Sequence, residues 1–368
     1  MMKTPSKKAW WLGLALWLAG GGMLLAGAQQ PPPSEQKQGP LKPKPEQEEK
    51  APYALRVEVP VVNVDVTVMD RDGNLIGGLR REHFRVYQDG VEQEIVAFAP
   101  TEAPLTTVLL VEASPALGYL LYQNLETAYL FLNQLRKGDW IALVGYDIKP
   151  RVEVDFTQDR RAIIGGLRKM QYGSGRFSEV ALYDALADTL DRLKEVDGKK
   201  SIVIIAGGVP PDVFGRGGID TISKLTWDQV RRIARQHSVT IFAIGLSWPI
   251  ERYLERRAGF GGRVGPQLLD VRMGEAQLKD LAEQTGGRAY FPRFIGQLPN
   301  IYGEIGAMLR NQYSLAFRPK NFRPDGQFHK IKVKLVGPDG KPLKVVNQKG
   351  KKIKYKIYAR KGYHAPKA

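Results

Sequence analysis

The sequence contains no cysteine. Disulfides, thiolate metal sites and a cysteine nucleophile are therefore excluded. Histidine is scarce: His83, His237, His329 and His364 lie far apart and show no metal-ligand spacing such as HExxH. There is no GxSxG nucleophile elbow. Glu179 and Asp220 are isolated acids, so no carboxylate pair is set up for glycoside cleavage. Glycine clusters occur at Gly173-Ser174-Gly175, Gly215-Arg216-Gly217-Gly218 and Gly259-Phe260-Gly261-Gly262. None stands between a strand and a helix in a phosphate-cradling pattern, and all three read as flexible loops. An enzyme is not expected, and no cofactor is implied.

Acid is also in short supply. Asp and Glu number 38 against 55 Lys and Arg, a net charge of +17. Such an excess speaks to partners rather than to fold. It favours anionic surfaces, or it simply serves solubility at a basic pI. The 368 residues, 43% of them hydrophobic, suffice for about two domains after a leader.

The N-terminus has the form of an export signal. Lys3, Lys7 and Lys8 precede an apolar run from Ala9 to about Leu25, and Ala26-Gly27-Ala28 supplies small residues for cleavage. An uncleaved anchor is the alternative, with Trp10 and Trp11 at the membrane interface. Residues 1–28 are thus a signal peptide or anchor, and the remainder is expected outside the cytoplasm, periplasmic or secreted. Residues 29–52, rich in Pro, Gln, Lys and Glu, bury too little apolar surface to fold and read as an extended tether.

Residues 53–103 switch to period-two alternation. Val62, Val64, Val66 and Val68 share one face, Asp70 to Asn74 form a turn, and Asp89-Gly90 marks a hairpin. Residues 312–365 alternate in the same way. The economical reading is one β-sandwich built from both ends of the chain; two separate β appendages are the alternative. Residues 104–311 between them alternate strand with helix, which implies a mainly parallel sheet with helices on both faces. Such a sheet binds ligands beyond the carboxyl ends of its strands. Expected helices include one capped by Asp159, one over Leu182 to Leu193, one over Trp227 to Gln236, and one over Leu278 to Gln284.

The ordered segments VLLVEASPALG, WIALVGYDIKPRVEVDFTQD, SEVALYDALADTLDRL, KKSIVIIAGG, VTIFAIGLS and LKDLAEQTGGRAYF resemble a von Willebrand factor A (VWA) domain. The whole chain further resembles an exported bacterial "VWFA-related" family, through Phe84 to Ile95, Tyr313 to Pro319 and Arg360 to Tyr363. The resemblance implies a metal site called MIDAS, in which hard oxygen ligands hold Mg²⁺ and an open position takes a partner's carboxylate. Its positions fall here on Glu112, Ser114, Ala116, Val180 and Gly207. Only Ser114 matches the family pattern. Ala116, Val180 and Gly207 bring no side-chain oxygen, so the site is degenerate and no metal is expected; Mg²⁺-dependent adhesion is the alternative. Asp147, Asp184 and Asp212 are close enough in sequence to supply a missing ligand, or they are ordinary helix-end and loop acids.

Lys330, Lys332 and Lys334, and again Lys352, Lys354 and Lys356, alternate with apolar residues. Such rows either guard edge strands against aggregation or form a positive face for an anionic partner. The expected role is an extracytoplasmic protein-binding or adhesion-type module. Its candidate contact residues are Glu112, Ser114, Asp212, Lys332, Lys334, Lys354 and Lys356. The partner protein is not identified by the sequence, an anionic envelope surface is the alternative, and nucleic acid is not expected.

Overall fold

The computed structural model describes residues 61–100, 104–114, 131–170, 180–207, 223–259, 265–346 and 352–367. Four N-terminal strands come first: β1 (Val62–Asp70), β2 (Phe84–Gln88), β3 (Val91–Gln93) and β4 (Ile95–Pro100). The alternation of β1 places Val62, Val64, Val66 and Val68 on a buried face, each worth roughly 1.5–3 kcal/mol of hydrophobic stabilisation. After β1 the Asp70 carboxylate accepts the amides of Asp72 at 2.9 Å and Asn74 at 2.8 Å, which closes the turn. The β2–β3 hairpin turns on Asp89 (φ 49°) and Gly90 (φ 89°), the left-handed pair that a tight hairpin needs.

The chain then enters an α/β domain. Its strands are β5 (Leu105–Glu112), β6 (Trp140–Tyr146), β7 (Pro150–Thr157), β8 (Lys199–Ala206), β9 (Val239–Gly245) and β10 (Ala289–Tyr290). Its helices are α1 (Arg160–Lys169), α2 (Leu182–Arg192), α3 (Trp227–Gln236), α4 (Trp248–Gly259), α5 (Gly265–Thr285) and α6 (Leu298–Arg310); residues 131–134 are also helical. The sheet order is β10-β9-β8-β5-β6-β7, parallel throughout except for the antiparallel edge strand β7. Counted within the domain this is the 3-2-1-4-5-6 order of doubly wound sheets read from the β7 edge. One face packs Val108, Leu110, Ile202 and Ile204 against α2, α3 and α5. The other packs Leu109, Val111, Val203 and Phe242 against α1, α6 and Phe131.

The last strands return to the first. They are β11 (Tyr313–Phe317), β12 (Phe328–Leu335), β13 (Val345–Val346), β14 (Lys352–Ile353), β15 (Tyr355–Ala359) and β16 (Gly362–His364). They join the N-terminal strands in two antiparallel four-stranded sheets, β15-β1-β11-β4 and β16-β12-β2-β3. Strands β4 and β11, which flank the α/β domain in sequence, pair directly from Pro100↔Tyr313 to Ile95↔Phe317. The α/β domain is thus an insertion between two neighbouring strands of a sandwich made from both ends of the chain. The sandwich core holds the β1 valines, Phe84, Leu315, Phe317 and Ile331. Met69 and Tyr358 instead point away from it and join the α/β core beside Tyr302, Ile305 and Met308 of α6.

The family-like motifs have structural reasons. The Tyr313 hydroxyl accepts the Leu79 amide and donates to the Ile76 carbonyl, both at 3.1 Å. Gln93 accepts the Lys320 amide at 2.9 Å. Arg360 crosses the seam between the two parts, donating to the Arg235 carbonyl at 2.9 Å and the Ser238 hydroxyl at 3.1 Å. A side chain at Gly362 would meet the His329 carbonyl 2.3 Å from its Cβ, so only glycine allows that approach.

Several elements differ from the sequence reading. The helix expected over Leu278 to Gln284 extends back to Gly265, and α4 and α6 are additional. Gly259 closes α4 rather than opening a loop. The glycine clusters at 173–175 and 215–218 and positions 260–262 lie outside the described residues. The alternating row of Lys352, Lys354 and Lys356 is not one strand: it breaks at Lys354, between β14 and β15.

Candidate partner-binding site

The carboxyl ends of the parallel strands bring together Glu112, the last residue of β5, with Ser114 just past it, Tyr146, the last residue of β6, with Asp147 next to it, Gly207 after β8, and Ser247 after β9. Val180 reaches the same end just before α2, where the Ala181 amide donates to the Asp147 carbonyl at 2.6 Å. Ala116 and Asp212 lie outside the described residues.

Glu112 is the centre of the site. It continues the Val108–Leu110 face of β5, so its side chain enters the layer beneath α2 and α3 and is only 5% exposed. Its Oε2 accepts the backbone amide of Gly207 at 2.6 Å. The ideal Cβ position of Gly207 lies 3.2 Å from Glu112 Oε1 and 3.4 Å from Oε2. The longer glutamate therefore fills the space in which a side chain at 207 would stand, and the bare backbone of Gly207 supplies a donor in return. Burial raises the Glu112 pKa, offset only in part by the Gly207 amide and the adjacent Ser114 hydroxyl. Tyr146, register partner of Glu112 across β5 and β6, is wholly buried; burial and then the Glu112 charge push its hydroxyl well up. The hydroxyls of Tyr146 and Ser223 are buried without a hydrogen-bond partner among the described residues. Tyr146 and Ser223 were not singled out by the sequence; the visible signal for Tyr146 is a polar aromatic ending an otherwise apolar strand.

Two of the acids close enough in sequence to supply a missing ligand, Asp184 and Asp147, are engaged elsewhere. Asp184 accepts the amides of Lys224 at 2.9 Å and Leu225 at 3.0 Å, pinning that segment to the start of α2. Asp147 forms an ion pair with Arg151 at 2.7 Å, and this pair together with local amides holds its carboxyl low against the raising effect of burial. Octahedral Mg²⁺ needs oxygens converging from several sides. Here Val180 offers none, Gly207 offers an amide hydrogen, and one Glu112 oxygen is already bonded. The described donor set does not fit the ion.

The lysine rows divide between the sheets. Lys330, Lys332 and Lys334 project from β12, flanked in its sheet by β16 and β2. Lys356 lies on β15, the edge of the other sheet, within 3.8 Å of Glu283, with Lys354 just before it. They are not one face.

A carboxyl with a raised pKa holds its proton more tightly when folded than when unfolded. Folding stability then falls as pH rises from the ordinary value of 4.5 through the folded-state pKa, and stays lower above it. Glu112→Gln keeps an acceptor for the Gly207 amide and removes the titration. The variant is expected to match the wild type at acid pH and to melt higher above neutrality, by roughly 2–4 °C for each kcal/mol recovered. Thermal melts across pH check this; parallel curves for the two proteins at every pH would count against a strained buried acid.

No protein-family profile and no curated protein matches the chain. Among solved structures, it is similar to proximal thread matrix protein 1 from the mussel byssus, with 15% identity, 60% of this chain covered and a TM-score of 0.41. It spans 50% of that protein's length. It is also similar to the vWF domain of the type V pili tip protein Mfa5 from Porphyromonas gingivalis, with 14% identity, 57% and 97% of the two chains covered, and a TM-score of 0.40. For a von Willebrand factor type A protein from Catenulispora acidiphila the values are 11%, 84%, 75% and 0.41. The inserted domain is a doubly wound, mainly parallel sheet with helices on both faces, the architecture that the motifs' resemblance to VWA domains implies.

Proposed function

We propose that this chain is an exported, non-enzymatic binding module that engages a protein partner at the carboxyl end of its VWA-type sheet without a metal ion. The observation that carries this is the contact between the Glu112 carboxyl and the Gly207 amide. It joins β5 to β8 directly, across the gap where a metal-bound VWA site would use an ion between side-chain oxygens. A carboxylate that is buried and already bonded is poorly placed to share a cation with a partner. The leader supports an extracytoplasmic location, and the Pro-rich tether supports a module held away from its point of attachment.

Isothermal titration with Mg²⁺ and with Mn²⁺ tests the reading, followed by capture of partners from envelope extract with and without a chelator. No stoichiometric metal binding is expected, and captured material should be unchanged by chelation. Stoichiometric binding that Glu112→Ala abolishes would establish the metal-dependent alternative. The lysines of β12 support a second contact, with an anionic envelope surface.

A further inference from the structure

We propose that the outer face of the β16-β12-β2-β3 sheet is a peripheral docking surface for anionic phospholipid headgroups, with Lys330, Lys332 and Lys334 as its contacts. This deepens the second contact above and does not involve the loop end of the VWA domain, so each can fail without the other.

Position in the sheet comes first. Lysine on an edge strand is explained by protection against strand addition, and that explains Lys356 on β15. It does not explain Lys330, where β12 is paired with Gly362 of β16, and beyond that point β12 is bordered by β2 on one side, so at Lys332 and Lys334 protection and attraction share the same lysines. The pleat sends Ile331 and Leu335 into the sandwich core and the three lysines outward, where all are exposed. At about 3.3 Å per residue they recur roughly every 7 Å along a straight row.

The row is also uncompensated. Among the described residues, none of the three lysines makes an ion pair with a carboxylate. The nearby acids have other partners: Glu92 pairs with Arg85 at 3.3 Å, and Asp89 is hydrogen-bonded to the His329 ring at 2.7 Å. Arg85 itself lies across from Lys334 on β2, and Tyr87 across from Lys332. The Lys334 ammonium sits 4.7 Å from the Tyr87 ring centre, which holds that side chain over the face. Past Phe328, Arg235 of α3 continues the positive charge, its guanidinium 4.5 Å from the ring centre.

The chemistry selects the partner. Flexible ammonium groups are point charges, suited to many headgroups at once rather than to one bidentate phosphate. They stand on the outside of a sheet, which presents a surface and not a groove for a single polymer chain. Tyr87 and Phe328 are half-buried, so neither ring stands clear of the face to insert into the acyl layer. Attraction of this kind contributes roughly five-fold in partitioning per lysine.

The test is cosedimentation of the full chain with phosphatidylcholine vesicles, with and without phosphatidylglycerol. The neutral vesicles report whatever the apolar leader contributes. Wild type is expected to gain binding with anionic lipid and to lose that gain at high salt. Lys330→Glu/Lys332→Glu/Lys334→Glu should lose the gain, on the order of 100-fold from three lysines. Lys352→Glu/Lys354→Glu/Lys356→Glu should keep most of it. If the first variant melts early, the Lys→Gln triple replaces it. Equal losses from both variants, no gain with anionic lipid, a salt-insensitive gain, or binding confined to a soluble acidic polysaccharide would each overturn the proposal.

Discussion

Gly207→Asp is expected to destabilise the folded chain by about 3–5 kcal/mol, the range for a buried charge left without a partner. The Cβ of such a residue would start 3.2 Å from Glu112 Oε1, in a place where Glu112 is 5% exposed. Its carboxyl would meet a second carboxyl in low dielectric, so one of the two must take up a proton or move out. Adding Mg²⁺ should recover little, because Val180 still supplies no oxygen. Glu112→Ala in the same chain should recover more than half, since it removes both the crowding and the like charge. Urea unfolding of the single and double variants gives the coupling directly. If Gly207→Asp unfolds with the wild type, the Glu112 side chain is free to leave the site and the amide contact is not a fixed feature.

The expected coupling shows how this site differs from its appearance in the sequence. Gly207 reads there as a lost ligand. In the structure it is a donor, but every non-proline residue carries that donor, and a backbone amide has no signature among residue types. Glu112 reads as a lengthened aspartate; the extra methylene carries its carboxyl to the β8 end. The sandwich was far more legible, because alternating valines such as Val62 to Val68 follow from one buried face. The lysine rows were legible as alternation but not as position, since the same pattern suits β12, partly covered by β16, and the edge strand β15. Helix α6 was hidden by Pro299, Gly303 and Gly306, which suggest a loop. Pro299 sits in its first turn, where proline is tolerated. Gly306 is needed for close packing, with Gln134 only 2.6 Å from where a Cβ would be.

The largest loss from a residue remote from the binding end is expected at Asp139. Its side chain is 1% exposed, and it stands in the turn before β6. One oxygen accepts the Leu105 amide at 3.1 Å and the other accepts the Arg136 amide at 2.5 Å. Arg310 at the end of α6 closes on the same carboxylate with both terminal nitrogens. Three chain segments therefore meet on one side chain: the start of β5, the turn before β6, and the helix that leads back into β11 of the sandwich. Asp139→Ala leaves a mostly buried guanidinium and two amides without their acceptor, and should cost about 3–5 kcal/mol. Arg310→Ala should cost less, because Asp139 keeps its two amides. Replacing both, Asp139→Ala with Arg310→Met, should recover part of the loss, since the stranded charge is then gone. Denaturant unfolding of the three variants reads the order. An Asp139→Ala protein as stable as the wild type would mean that the seam between the inserted domain and the sandwich rests on its other contacts, the Met69, Tyr358 and Met308 packing and the Arg360 hydrogen bonds among them.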